Sequence, residues 1–323
     1  MSLKGKLLVT GLVAGGVVGA MVAANTFIEA AVGELDTVLT GEERRYPWKY
    51  GDMFYTVKGA SGAKPLLLIH DFSPGASSFE WRRNIDALAE QFRVYAIDLL
   101  GFGLSDRPSI DYTAETYTDL IGDFIKEMIG KPAVVVAHGL SAAYVLHDAY
   151  RRPQLFERLI LVSPPQSMLL ETIPGPAGAA WKFILRMPVL GQFIYNLLTT
   201  RPVLRSYYEE KSYYNPGLVT DELVEYVYTS AHQSNARYPV ASFLSGYLDM
   251  DVREAAARLS VPVMILWGRE ETAVLPEASE AFKRVNNRID VRVVPESRSQ
   301  LQAEQAARFD QLVREFAGAP VSR

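Results

Sequence analysis

Short apolar runs alternate with amphipathic segments along most of this chain. The runs have strand length and are bounded by Gly, Pro or charged residues, and the segments between them carry apolar residues at helical spacing. Strands that alternate with helices predict a mostly parallel sheet with helices on both faces. The predicted strands are 46–57 (a pair with its turn at Gly51-Asp52), 65–70, 93–98, the run before His138, 158–163, 262–268 and 290–294, and the predicted helices include 79–92, 115–129 and 301–317.

The alternation is interrupted between residues 166 and 250. This segment is helical in pattern, rich in Trp, Phe and Tyr, and carries prolines at its joints. An insertion of this kind is expected to cap the sheet and to roof a cavity. The predicted organisation is an anchor at 1–28, a stalk at 29–45, an α/β core at 46–165 and 251–323, and a helical lid at 166–250.

The N-terminal segment has no charged residue between positions 7 and 24, and Lys4 and Lys6 precede it. Such a segment is just long enough to cross a bilayer core of about 30 Å, and it predicts a single transmembrane helix. The lysines favour a cytoplasmic N-terminus, with the globular part on the opposite side of the membrane. A cleaved signal peptide is the alternative, because Val22-Ala23-Ala24 resembles a cleavage site.

Small residues recur at every fourth position of this segment. They would form a smooth stripe along one helix face, which is a pattern that allows two membrane helices to pack closely. The stripe therefore predicts contact with a membrane protein partner or with a second copy of the chain. Its members are Gly11, Gly15, Gly19 and Ala23.

Composition narrows the possible chemistry. A net charge of −4 gives no basic surface for nucleic acid. The chain has no cysteine, which excludes disulfides, thiolate metal sites and a Cys nucleophile. No motif indicates a cofactor or a metal, and none is expected. The four histidines are His70, His138, His147 and His232.

The apolar run that ends at His138 is followed by Gly139, Leu140 and a helix-forming segment from Ser141. A buried strand, a sharp turn and a helix form the layout of a nucleophile elbow, which presents one side chain on a strained turn. The residue at the apex is Gly139, which has no side chain. The arrangement of a catalytic turn is therefore predicted without its reactive atom.

Residues 46 to 318 resemble the α/β-hydrolase superfamily. The long central stretch is most similar to the chlorophyll dephytylase and pheophytinase-like branch and to related bacterial ester hydrolases. The resemblance implies the α/β-hydrolase fold with a helical cap, here preceded by the predicted transmembrane helix. It is carried by PLLLIHDF (65–72), WRRNIDALAEQFRVYAIDLLGFGLSDRP (81–108), PAVVVAHGLS (132–141), LILVSPP (159–165) and ILWGREE (265–271).

Carried over residue by residue, the resemblance places the nucleophile at Gly139, the acid at Glu271 and the base at Ser299. Active relatives have a histidine at the last position, and no histidine follows it in this chain. At the oxyanion hole, His70-Asp71 stands where active relatives have His-Gly, and a carboxylate there would repel a developing oxyanion. Without a nucleophile and a base, Ser-His-acid chemistry cannot run.

Other residues could take over a functional role. Ser141 and His138 are candidates for a displaced nucleophile and base, although a packing role is favoured for both. Asp71 is expected to bind a ligand or to pair with Arg298. The candidate ligand contacts are Phe72, Leu140 and Trp181.

These observations favour a catalytically inactive, membrane-anchored α/β-hydrolase-fold protein that serves as a structural subunit or binds a hydrophobic ligand in a membrane complex. The alternative is a hydrolase of a lipophilic ester, such as a phytyl ester, that uses a displaced site. That alternative requires Ser141 or Asp71 within hydrogen-bond reach of His138 or His70. A plain binding module is the third hypothesis.

Overall fold

The computed structural model describes residues 3–170, 174–272 and 279–318, with side-chain surroundings from residue 15 onward. Its strands are β1 (Glu42–Trp48), β2 (Gly51–Lys58), β3 (Lys64–Ile69), β4 (Phe92–Ile97), β5 (Ala133–His138), β6 (Phe156–Val162), β7 (Val263–Gly268) and β8 (Asp290–Val294). Its α-helices are α1 (Leu3–Ala31), α2 (Ile85–Ala89), α3 (Ala114–Phe124), α4 (Ser141–Arg151), α5 (Pro176–Arg186), α6 (Pro188–Leu198), α7 (Arg201–Tyr207), α8 (Asp221–Ala231), α9 (Arg237–Leu244), α10 (Arg253–Arg258), α11 (Ser279–Val285), α12 (Leu301–Glu304) and α13 (Ala306–Gly318).

These strands form one mixed sheet in the order β1-β2-β4-β3-β5-β6-β7-β8. The β1–β2 and β2–β4 pairs are antiparallel, and the other neighbouring pairs are parallel. The carboxyl ends of parallel strands meet at one edge of a sheet, which is where open α/β sheets bind their ligands. The loops after β3, β5, β6 and β7 therefore lie side by side.

The central strands are apolar on both sides because helices cover both faces of the sheet. Val135 of β5 packs on one face with Tyr144 of α4, and both are fully buried. Val134 faces the other way and packs with Phe309 of α13. The predicted mostly parallel sheet with helices on both faces is confirmed, and this two-sided burial fixes the strand ends that form the candidate site.

Helices α5 to α9 lie between β6 and β7 in sequence, and α1 packs against this lid. The amide nitrogen of Asn25 donates to the carbonyl of Val189 at 3.0 Å. The Asn196 amide of α6 in turn donates to the side-chain oxygen of Asn25, also at 3.0 Å. These polar contacts, together with half-buried Met21 and Ile28, define the packed face of α1.

The small-residue stripe lies on another face of α1. Gly15, Gly19 and Ala23 are exposed, and a Cβ at either glycine would meet no described atom within 4 Å. Gly11 lies outside the residues whose surroundings are described. Contact with a partner through the stripe stays a prediction. No helix within the described residues is both long and apolar enough to span a membrane. The side chains of the first half of the anchor predicted at 1–28 lie outside the described residues, and the anchor stays a prediction.

The turn of the first hairpin differs from its prediction. Trp48 pairs with Gly51, so the two loop residues are Lys49 and Tyr50, and Gly51 begins β2. A Cβ at Gly51 would lie 2.8 Å from the Cβ of Asp106. Gly51 therefore marks a close approach between the start of β2 and the loop that carries Asp106, and the turn lies just before it.

Two predicted helices are shorter than their sequence patterns. The segment 79–92 contains a 3-10 turn at Ser78–Trp81 and only the short helix α2. The buried amide of Asn84 separates them, because it donates to the Gln302 carbonyl and the Asp310 carboxylate at 2.9 Å each. The predicted helix 301–317 is likewise divided into α12 and α13.

Candidate active site

The predicted elbow is formed by the end of β5, a turn and the start of α4. Gly139 at its apex has a φ of +55°, in the left-handed region that glycine adopts without a Cβ penalty. Its N–H donates to the carbonyl of Val162 at the end of β6, at 2.9 Å. A side chain at this position would point toward the loop that follows β3.

Asp71, two residues beyond the end of β3, occupies the space that a side chain at Gly139 would need. A Cβ at Gly139 would lie closer than 3.0 Å to the Asp71 Cγ and to both of its carboxylate oxygens. Real Cβ atoms do not make such contacts, so the carboxylate would have to move if position 139 carried a side chain. The space at the apex is therefore filled by a carboxylate from the loop after β3.

The same carboxylate accepts the two backbone donors that an elbow uses to stabilise an oxyanion. Those donors are the N–H of the residue after the apex and an N–H from the loop after β3. The N–H of Leu140 donates to Oδ1 of Asp71 at 2.8 Å. The N–H of Phe72 also donates to this carboxylate. A substrate carbonyl oxygen would have to displace a charged group from its own binding position.

A buried ion pair lies beside Asp71. Nδ1 of His138 is 3.0 Å from Oε1 of Glu80, and the His138 side chain is 1% exposed. Burial lowers the pKa of His138, but the carboxylates of Glu80, Asp71 and Glu271 outweigh it and raise the pKa to about 9. Burial raises the pKa of Asp71, and the charge of His138 opposes that rise. His138 is therefore a cation at neutral pH, and it compensates the carboxylates around it.

A cavity of about 320 Å³ lies between this turn and the lid. It brings together Asp71 and the positions that the resemblance assigned to a nucleophile, an acid and a base, namely Gly139, Glu271 and Ser299. The hydroxyl of Ser299 donates to the carbonyl of Ser212 in the lid at 3.4 Å. A hydroxyl bound in this way cannot replace a histidine as proton acceptor.

Residues 66–311 match the alpha/beta hydrolase family. This chain belongs to that family. It is 24% identical over 257 residues to "Epoxide hydrolase 3" of Mus musculus, covering 76% of this chain and 69% of that protein. It is 25% identical over 280 residues to "Soluble epoxide hydrolase" of Corynebacterium sp., covering 80% of this chain and 93% of that protein.

The fold is also similar to that of a solved serine hydrolase involved in carbazole degradation. The TM-score is 0.70 at 22% identity, and the match covers 86% of this chain and 99% of the other. At this identity the likeness shows the fold alone. The narrower resemblance to chlorophyll dephytylase and pheophytinase-like hydrolases stays a prediction.

Two of the residues considered for a displaced site, Ser141 and His70, are bound to neighbouring backbone groups. The hydroxyl of Ser141 is fully buried and donates to the backbone carbonyl of His70 at 2.6 Å. The His70 ring contacts the carbonyl of Asp71 through Nδ1 at 2.7 Å, and its Nε2 accepts from the N–H of Leu99 at 3.0 Å. Ser141 and His70 therefore hold the loops together, and neither presents a free reactive atom to the cavity.

The suggested pairing of Asp71 with Arg298 is wrong. The Arg298 guanidinium donates to the carbonyls of Glu210 and Tyr213 in the lid, at 2.6 and 3.0 Å. These carbonyls lie at the π-helical turn Tyr208–Ser212 and just beyond it. Arg298 therefore ties the loop that carries Ser299 to the lid.

Of the candidate ligand contacts, Leu140 lines the cavity. Phe72 is 1% exposed and packs below it against the rings of Tyr117 and Tyr144. Trp181 lies on α5 and is 37% exposed. Neither Phe72 nor Trp181 is among the residues that line this cavity.

Several residues of the site escaped sequence reasoning. Glu80 lies in a segment that was expected to be an ordinary helix, and Ser163 and Asp249 line the cavity from the end of β6 and from the lid boundary. The sequence signal that indicates the site is the combination of Gly139 and Asp71. Gly139 lacks a side chain where active relatives have one, and Asp71 adds a side chain in the loop that this fold places next to it. In the described part of the chain, no group of three or more His, Asp or Glu side chains could hold a metal ion.

Proposed function

We propose that this alpha/beta hydrolase family member binds a small molecule in the cavity above its elbow and does not hydrolyse esters by serine-type chemistry. The observation that carries the proposal is the position of Asp71, whose carboxylate lies in the space of the nucleophile and accepts the N–H of Leu140. The cavity volume of about 320 Å³ falls within the usual range for small-molecule sites.

Acyl transfer needs a nucleophile, a proton acceptor and donors for the oxyanion. Loss of one oxyanion donor alone typically lowers kcat by about 10²–10³. Here the donors face a carboxylate, and the apex residue has no side chain. Ser299, at the position of the base, is bound to the lid carbonyl of Ser212. Each feature separately opposes ester hydrolysis, and together they leave the binding cavity as the functional part of the site.

Hydrolysis of p-nitrophenyl butyrate tests the catalytic half of the proposal. We expect the wild type, Asp71→Asn and Asp251→Asn to release nitrophenol at the same background rate. Asp251 is a matched control, because its carboxylate is paired with Arg253 outside the cavity. A wild-type rate well above background that falls at least 100-fold in Asp71→Asn alone would refute the proposal.

Restoration of the site tests the same argument in the other direction. We expect Asp71→Gly/Gly139→Ser/Ser299→His to be labelled by a fluorophosphonate probe, because the new serine then has space, a base and free oxyanion donors. The double variant Gly139→Ser/Ser299→His keeps Asp71 and should remain unlabelled. Equal labelling of both would show that Asp71 does not block the site.

A second function is favoured by the location of the carboxylate itself. Carboxylates can act as nucleophiles that form ester intermediates, and two relatives are named epoxide hydrolases. An oxygen of Asp71 would bond to an epoxide carbon, the ring carbon–oxygen bond would break, and the alkoxide would take a proton from water. The ester would then persist, since Ser299 stands where a base would activate water. This function ranks second because Asp71 already accepts backbone N–H groups and faces the charge of His138.

Intact mass spectrometry after exposure to styrene oxide separates the two functions. One added equivalent that maps to Asp71 and is absent from Asp71→Asn would establish the carboxylate as a nucleophile. The binding function predicts no adduct at Asp71, and modification confined to exposed carboxylates would agree with it.

A further inference from the structure

Ser163 is a strained and unsatisfied residue in the wall of the cavity. It follows β6 directly and has a φ of +43°, a left-handed conformation that is unfavourable for a residue with a Cβ. It is 6% exposed, and its hydroxyl has no hydrogen-bond partner among the described residues. Strain and an unsatisfied buried hydroxyl are both unfavourable. Strained residues cluster at active sites and where ligands are held.

Asp249 lines the same cavity and has no basic partner in the described residues. Its carboxylate is half buried, and burial raises its pKa. Asp71 and Glu271 add further carboxylates to the wall. Of the basic side chains that line it, His138 is paired with Glu80, and Lys211 is exposed on the lid. The acidic groups therefore outnumber the cations in this wall.

Aromatic rings complete the lining. Phe243 and Tyr207 come from lid helices α9 and α7 and face the cavity together with Leu140. Aromatic faces attract organic cations, and the attraction increases where water is excluded. An acidic wall, a free hydroxyl acceptor and aromatic rings are together complementary to a cation with an apolar body.

We propose that the cavity binds an organic ammonium ion, with its N–H groups directed to Asp249 and the Ser163 hydroxyl and its apolar body against Phe243 and Tyr207. The inference rests on the proposed binding function and specifies its ligand class. A carboxylate ligand would face like charges in the same wall. A neutral ligand would leave Asp249 without a counter-charge.

Calorimetric titration of the full-length protein at pH 7.5 tests the proposal with three probes that share a phenyl ring and differ in charge: benzylammonium, benzyl alcohol and benzoate. We expect benzylammonium to bind at least 10-fold more tightly than either of the others. Asp249→Asn should weaken benzylammonium binding at least 10-fold, and Ser163→Ala about 3-fold or more. Asp251→Asn, a carboxylate outside the cavity, should bind benzylammonium as the wild type does. Unchanged circular dichroism of the Asp249→Asn variant, which is close in size to the wild type, would exclude misfolding as the cause.

The outcomes separate this inference from the proposed function. Equal affinity for all three probes, or tighter binding of the alcohol or benzoate, would overturn the ammonium ligand while leaving a binding cavity. Benzylammonium binding that is unchanged in Asp249→Asn and Ser163→Ala would also overturn it, because the cation would then lie elsewhere. Ester turnover that depends on Asp71 would instead contradict the proposed function, whichever probe binds.

Discussion

Gly139→Ala is the substitution that most directly tests the structural account of the elbow. The added methyl group would enter the space of the Asp71 carboxylate, closer than 3.0 Å to three of its atoms. The carboxylate would have to move, and it would lose the N–H of Leu140 that it now accepts at 2.8 Å. The cost should therefore depend on whether Asp71 is present.

The expected magnitude has two parts. An alanine in the left-handed conformation costs about 1–2 kcal/mol wherever it is placed. Loss of a hydrogen bond to a charged group adds roughly 1.5–3 kcal/mol. In the Asp71→Ala background only the first part remains, so the coupling between the two substitutions should be about 1.5–3 kcal/mol. Gly130→Ala is the matched control, since Gly130 has a φ of +68° and its Cβ would meet no described atom within 4 Å.

Urea unfolding of the wild type, both single variants and the double variant gives this coupling directly. We expect Gly130→Ala to cost about 1–2 kcal/mol and to be additive with Asp71→Ala. If Gly139→Ala is also additive with Asp71→Ala, to within about 0.5 kcal/mol, the two groups do not compete for space and the account is refuted.

Three further predictions concern charge and the lid. The folded-state pKa of His138 is raised to about 9, above the ordinary value of about 6.5. Protonated His138 therefore stabilises the folded protein fully below pH 6.5, and this contribution is lost as the pH rises through 9. The free energy of unfolding should fall by up to about 3 kcal/mol over this window, and His138→Gln should flatten the profile; an unchanged profile would refute the assignment. Arg298→Ala should lower stability by about 1–3 kcal/mol and speed amide exchange in the lid turn that Arg298 contacts, whereas Arg308→Ala, on the surface, should do neither. Asn25→Ala should speed amide exchange in α6, and Thr26→Ala should leave it unchanged. Equal effects of the two substitutions would show that Asn25 does not hold α1 on the lid.

The fold could be predicted because it depends on a pattern repeated along the chain. The apolar runs such as 65–69 and 133–138 are buried on both sides, and that burial selects a parallel sheet covered by helices. The local errors arose where one tertiary contact outweighed the local pattern. Asn84 interrupts a helix because its buried amide binds two distant groups, and no feature of the segment 79–92 alone indicates that.

The site was predictable in its positions and not in its interactions. Gly139, Glu271 and Ser299 do line one cavity, because each follows a strand whose place in the sheet the fold determines. Arg298 was assigned to Asp71 by charge alone, but its guanidinium binds lid carbonyls. A partner of that kind depends on how the lid lies over the sheet, and the sequence does not encode the lid position in any local pattern.

Gly139 and Asp71 belong together: the loop after β5 lacks a side chain at its apex, and the loop after β3 supplies a carboxylate that fills the space. A serine at the apex would displace the Asp71 carboxylate from its present position, because the two side chains would occupy the same space. A carboxylate at position 71 requires glycine at the apex for the same reason, and it also needs a compensating cation when it is buried. His138 provides that cation, since Glu80 holds it charged directly beneath the turn. The carboxylate, the glycine and the buried ion pair therefore depend on one another, and no single substitution can convert this elbow into a serine nucleophile.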